Sequence, residues 1–232
     1  MRIWDINPGY LNRQSLLGEH RELHGIVSII ENNKKGYSRH PETVRWVGFG
    51  WALKQRHKLL AAEMKLRGYN DKTPVGLISN KNSWPENYIN TPFEQINILS
   101  DKYTGIESGR IPLPKNAQQI WSQHKYSVMA RDLAAYKSIG KFVATDKGKS
   151  QLESIANDLT KFLRQPPDKR LILNTLHHLW GYVSEYASFP AKNIEAMNAI
   201  TLLATIQKLA MANEVTYVVH STALGELSAW DI

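Results

Sequence analysis

The chain has 232 residues, 42% hydrophobic and 22% charged, the balance of a globular protein rather than a disordered or fibrous one. It contains no cysteine, which excludes disulfides, thiolate metal sites and cysteine nucleophiles, and no apolar run approaches the ~20 residues of a membrane-spanning helix. Lys and Arg outnumber Asp and Glu by 29 to 21, a net charge of +8. The excess is uneven. Residues 1–75 hold 13 basic and 7 acidic side chains, or +6; residues 76–114 come to −1 and residues 115–232 to +3. A basic N-terminal region suits a polyanionic partner, because bound phosphates release counterions. Charge alone is equally compatible with a solvated basic surface.

The opening, Met1-Arg2-Ile3-Trp4-Asp5, lacks the continuous apolar core of a secretory signal, so a cytoplasmic protein is expected. Met1 is expected to be retained, because initiator removal needs a small second residue and Arg2 is large. Residues 8–32 read as the first helix. Asn7-Pro8 supplies a cap and a proline at the first helical position, and Leu16, Leu23, Val27 and Ile30 form one apolar stripe. The run Asn32-Asn33-Lys34-Lys35-Gly36 ends it. Residues 41–67 read as a second, longer helix, opened by Pro41, dense in basic residues and closed by Gly68.

Residues 70–92 are rich in Asn, Pro and Gly and read as loop, followed by a helix from Pro92 to Lys102. Tyr103 to Lys115 has two glycines and two prolines and is expected to link two domains. From Gln118 onward the pattern is helical, with breaks at Asp146–Gly148, Pro166–Asp168 and Phe189–Pro190. No segment alternates as a strand does, and no repeat is present. The expected fold is all-α: a helical domain over residues 1–114 and a second over 115–232.

Several residues carry chemistry only conditionally. His20 and His24 are spaced i, i+4, which suits a metal, but no third ligand lies nearby in sequence and the order is not His-Glu-x-x-His; no metal site is expected. Trp46 and Trp51 are read as core rather than as base-stacking platforms. Glu22 and Arg21, taken alone, are helix-face charges. An α-amine differs from a lysine amine in its ordinary pKa of roughly 7.7–8.0, so a useful fraction is neutral and able to form a Schiff base. Every unblocked chain has one, so the amine by itself identifies nothing.

The specific signal is Gln14-Ser-Leu-Leu-Gly-Glu-His-Arg-Glu-Leu23. Together with Arg2-Ile3 it resembles, without a gap, the N-terminal region of the pyrimidine-dimer DNA glycosylases with abasic-site lyase activity, the endonuclease V-like family. Leu53 to Asn70, ending Arg-Gly-Tyr-Asn, resembles that family's long helix, and Gly36-Tyr-Ser-Arg-His-Pro41 resembles a basic turn of its bacterial members. The resemblance covers roughly residues 1–114. It implies the α-amine of Met1 as nucleophile and Glu22 as catalytic carboxylate. It also implies Arg2 and Arg21 at the phosphates flanking the lesion, and the +6 balance of residues 1–75 adds Lys34, Lys35, Arg39, His40 and Arg45 to the expected DNA-binding side. The implied partner is double-stranded DNA with damaged bases; no cofactor, no metal, no membrane and no obligate protein partner is expected. The chain departs from the family where His20 replaces a tyrosine and Gly25 replaces an arginine expected to touch DNA. The alternatives are a non-catalytic nucleic-acid-binding module, or an N-glycosylase for another lesion or for RNA.

Gln123 to Ala130, Tyr136 to Val143 and Asn174 to Tyr182 resemble a bacterial helical domain of unknown function, YbgA-like. That resemblance brings no activity with it. His124, Lys125, Asn174, His177 and Tyr182 are read either as a pocket or nucleic-acid surface, or as hydrogen-bonding groups between helices.

Overall fold

The computed structural model describes residues 1–188 and 192–232; the break expected at Phe189–Pro190 lies outside them. The architecture is all-α, with no strand among the described residues. The first expected helix divides in two. Asn7 caps only a 3₁₀ turn, Pro8–Tyr10, after which Leu11 is extended. Asn12 then caps the true helix, α1 (Arg13–Glu31), by accepting from Ser15 N. Two successive asparagine caps make two helix starts where proline and periodicity alone predict one.

The second expected helix also divides, into α2 (Pro41–Trp46) and α3 (Gly50–Leu66). Gly48, between them, has φ +85°, a conformation that only glycine adopts at little steric cost. The turn swings α3 against α1. α4 (Pro92–Lys102) runs as expected, started by a Thr91/Glu94 capping box with Pro92 in the first turn.

Helices α5 (Ala117–Met129), α6 (Leu133–Ala144), α7 (Asp146–Lys149) and α8 (Leu152–Phe162) follow. The break expected at 146–148 is thus the single turn α7, capped by Thr145. The Pro166–Asp168 break stands, with Asp168 capping α9 (Lys169–Trp180). After α10 (Lys192–Glu195) and α11 (Ala199–Ala212), the short turns α12 (Thr216–Val219) and α13 (Ala223–Glu226) carry the chain back to α3.

The expected linker is not a solvated tether. Tyr103 and Ile111 are buried, and Ile111 N donates to Gly9 O at 2.9 Å. A Cβ on Gly109 would lie 2.5 Å from the Gly9 and Tyr10 backbone, so this segment docks on the 3₁₀ turn because residue 109 has no side chain. One core joins Ile3, Leu16, Leu23, Trp46, Leu53, Leu60 and Leu99 to Ile120, Val143, Ile155 and Leu159 of the second half. A second core lies within residues 126–227. Among the described residues no helix is long and apolar enough to cross a membrane.

Candidate active site

Residues 1–7 run beside α1 without regular secondary structure, and their peptide N–H groups have no helix or sheet to bond. Buried backbone donors need partners, and here side chains provide them in turn. Arg2 N donates to Glu22 Oε2 at 2.5 Å and Trp4 N to Glu19 Oε1 at 3.1 Å. Ile3 N faces the Glu42 carboxylate of α2, and Asp5 N donates to Gln95 Oε1 of α4 at 2.7 Å. The periodicities agree. Residues 2 and 4 share one side of an extended chain, and residues 19 and 22 lie one turn apart on a helix face. The segment therefore runs antiparallel to α1, with Met1 beside Glu22.

The segment is locked from every side. Ile3, Trp4 and Ile6 are buried. Arg56 of α3 holds Glu19 with two bonds, at 2.7 and 2.8 Å, and donates to Ile6 O at 2.7 Å. Burial pushes the Glu19 carboxyl up to about 7, against the pull of Arg56 and the Trp4 N–H. Asp5 pairs with Arg45 and Arg164 and accepts from Gln95 Nε2. Fixing Arg2 N against Glu22 also fixes the amine three bonds away. Standard bond lengths allow at most about 3.7 Å between successive backbone nitrogens, which puts the Met1 amine within about 6 Å of Glu22 Oε2. Glu22 is half-buried and Met1 partly exposed, so the pair is open to a ligand.

The cations divide into two groups. Arg2 donates to Asn90 Oδ1 at 2.6 Å and lies 4.7 Å from the Trp4 ring, keeping donors free beside the pair. Arg21, Lys34, Lys35 and Arg39 are exposed. Among the described residues Arg21 makes only a long bond to Leu17 O and Lys34 one to Ser28 Oγ. His40 serves as the cap of α2, its Nδ1 accepting from Glu42 N. Arg45 departs from the DNA-facing expectation. Its side chain is 5% exposed and is committed to Asp5, Glu42 and Asn87 O; it braces the N-terminal segment from beneath. Trp46 is core as expected, and Trp51 is half-buried against Trp84.

A second cluster was invisible in the sequence. His20 and His24 of α1 meet His57 of α3 and Asp71 of the following loop, with all four donor atoms within 4.8 Å of one another. The absence of a third ligand near His20 and His24 was a matter of sequence distance only. His57 sits in the segment that resembles the family's long helix, where its spacing gave no metal signal. Burial lowers His57 to about 4 and lowers His24 as well. The cluster faces away from Glu22, since residues 20 and 24 are each about 200° from residue 22 around α1.

The five polar residues singled out in the second half do not converge. His124 is buried, bonds Ile120 O at 2.9 Å and lies 3.4 Å from Tyr10 OH. Lys125 lies over the Tyr126 and Tyr217 rings, and Tyr182 accepts from Tyr126 OH. Asn174 and His177 are exposed.

No curated protein and no solved structure matches the chain. Two family matches divide most of its length, and neither spans half of it. Residues 1–76, which contain Met1, Glu22 and the helices that hold them, match the family described as pyrimidine dimer DNA glycosylase, and residues 125–225 match a family described as protein of unknown function (DUF1722).

Proposed function

We propose that the protein is a DNA-repair glycosylase with abasic-site lyase activity, acting on pyrimidine dimers or related base lesions in duplex DNA. One observation carries this reading: the Arg2 N–H bond to Glu22, within the segment similar to the dimer glycosylases, sets an α-amine beside a carboxylate. The neutral amine of Met1 attacks C1′ of the damaged nucleotide, and the N-glycosidic bond breaks with its electron pair leaving on the base. Glu22 stabilises the positive charge that develops on the sugar. Ring opening gives an iminium ion between Met1 and C1′. Loss of a C2′ proton to Glu22 then expels the 3′ phosphate, and water releases the aldehyde and regenerates the amine.

Borohydride tests the covalent step by reducing the iminium to a stable protein–DNA bond. With ultraviolet-irradiated or abasic duplex, the expected result is one DNA-linked adduct at Met1. An uncleaved N-terminal extension moves the amine and is expected to abolish trapping while leaving duplex binding nearly unchanged. Trapping by the extended protein at the normal rate would sink the Met1 assignment. Binding without trapping in the native chain would favour a non-catalytic module, and trapping on other damaged bases only would favour another lesion.

Salt dependence tests the DNA side. If Arg2, Arg21, Lys34, Lys35 and Arg39 each neutralise a phosphate, log K falls against log salt with a slope of roughly −4 to −5, and Lys34→Ala reduces that slope by about 1. Arg45→Lys, in contrast, loosens the N-terminal segment and leaves the slope unchanged. A flat salt response in titrations of the native protein counts against this surface.

A further inference from the structure

We propose that His20, His24, His57 and Asp71 form a structural site for one divalent transition ion of the zinc class, clasping α1 to α3 and to the loop that follows α3. The geometry is that of a four-donor cage. His20 Nε2 lies 3.3 Å from His24 Nε2 and 3.1 Å from Asp71 Oδ1, and His57 Nε2 lies 3.5 Å from Asp71 Oδ2. A tetrahedral ion with bonds of about 2.0–2.1 Å sets its donors about 3.3–3.4 Å apart; the His20–His24 edge already has that length, and the two Asp71 contacts come near it, each through a different carboxylate oxygen. The widest separation in the cluster, 4.8 Å, closes with small side-chain rotations.

Hydrogen bonding alone leaves the cluster incomplete. His57 is 4% exposed and its Nε2 makes no hydrogen bond of normal geometry among the described residues, the Asp71 carboxylate standing 3.5 Å away, a state that buried polar atoms rarely occupy. His20 and His24 direct Nε2 atoms at each other, and such a contact holds only one proton between two lone pairs. The rings do not stack: two of the three pairs are edge-on, at 76°. An ion at the centre takes all three lone pairs at once. Imidazole and carboxylate donors without thiolate suit zinc and its neighbours rather than copper(I) or iron–sulfur clusters.

Four protein donors leave no open position, so the site is structural rather than catalytic. It lies on the face of α1 opposite Glu22. Asp71 is oriented for it by accepting from Thr73 N at 3.2 Å. His57 and Asp71 also border a cleft of about 610 Å³ between α3 and residues 228–231, which gives an ion a path in.

The test is metal content and thermal stability of the full chain. Protein stripped with a chelator, then supplied with zinc and dialysed, is expected to retain one ion per chain. Its thermal midpoint is expected to rise by on the order of 5–10 °C over the stripped form. Cobalt(II) in its place is expected to show the intense visible bands of a tetrahedral complex. His57→Gln and His24→Ala are each expected to lose stoichiometric binding and the zinc-dependent rise. His24 is partly exposed and reports the outcome if His57→Gln fails to fold. Less than stoichiometric zinc on the native chain, octahedral cobalt spectra, or unchanged binding by His24→Ala overturns the proposal, whatever the result with irradiated DNA.

Discussion

Replacing Glu22 by glutamine is expected to slow base release from irradiated duplex by about 10²–10³, the scale of losing one well-placed electrostatic group at a developing charge. The amide keeps an oxygen to accept from Arg2 N, so the amine stays where the carboxylate now holds it. What disappears is the negative charge and the proton acceptor that the proposed mechanism assigns to Glu22. Affinity for damaged duplex is expected to stay level or rise, because an anion near phosphates has been removed. Arg21→Gln is expected to reverse the balance: among the described residues the exposed guanidinium bonds only Leu17 O, so binding should weaken while the rate within the complex falls less. Single-turnover rates at saturating enzyme separate the two effects. Normal base release by Glu22→Gln removes Glu22 from the chemistry.

The largest stability loss is expected at Glu63→Gln, far from the amine. Glu63 lies buried on α3 and accepts from Arg67 Nε at 2.7 Å and from Arg110 Nε and Nη2 at 2.9 and 2.7 Å. Arg110 comes from the segment expected to be a linker and also donates to Ser221 O and Val219 O of the C-terminal half. Arg67 donates to Leu11 O and Gly9 O. One carboxylate thus anchors three distant parts of the chain. Removing one partner of a buried ion pair costs about 3–5 kcal/mol, because the remaining charge is left uncompensated. For a chain of this size that lowers the melting midpoint by on the order of 10 °C. Arg170→Ala, which breaks a pair whose arginine side chain is 88% exposed, is expected to change it little.

The pH dependence has a fixed sign. Burial alone raises the Glu63 carboxyl, but Arg110 and Arg67 outweigh it and hold it below its ordinary 4.5. The unfolded chain therefore takes up the Glu63 proton first as pH falls. The stabilisation is fully present above about 4.5 and is lost as pH drops through the depressed folded value. The gap in stability between the native protein and Glu63→Gln, measured by denaturant titration, should narrow as the medium is acidified below that point. A gap that is small at pH 7, or that widens in acid, contradicts this account of the ion cluster.

The sequence by itself determined the helical class, the extent of α4 and the apolar stripe of α1, and its ungapped N-terminal motif pointed to Met1 and Glu22. These are local properties: periodicity, caps and prolines act within a few residues, and the N-terminal motif spans only 23 positions. The breaks at Leu11 and Gly48 were less legible, because a second cap and one left-handed glycine override a helical pattern that continues through them. Only the tertiary structure decided what distant residues do together. It turned Arg45 inward onto Asp5, built Tyr103 and Ile111 of the expected linker into the core, and gave the N–H groups of residues 2–5 their side-chain acceptors on three helices. It also carried His57 and Asp71, 33 and 47 positions beyond His24, to the two histidines of α1. The physical reason is that a ligand cage is assembled by the packing of α3 on α1, and no spacing along the chain records which faces of two helices will meet.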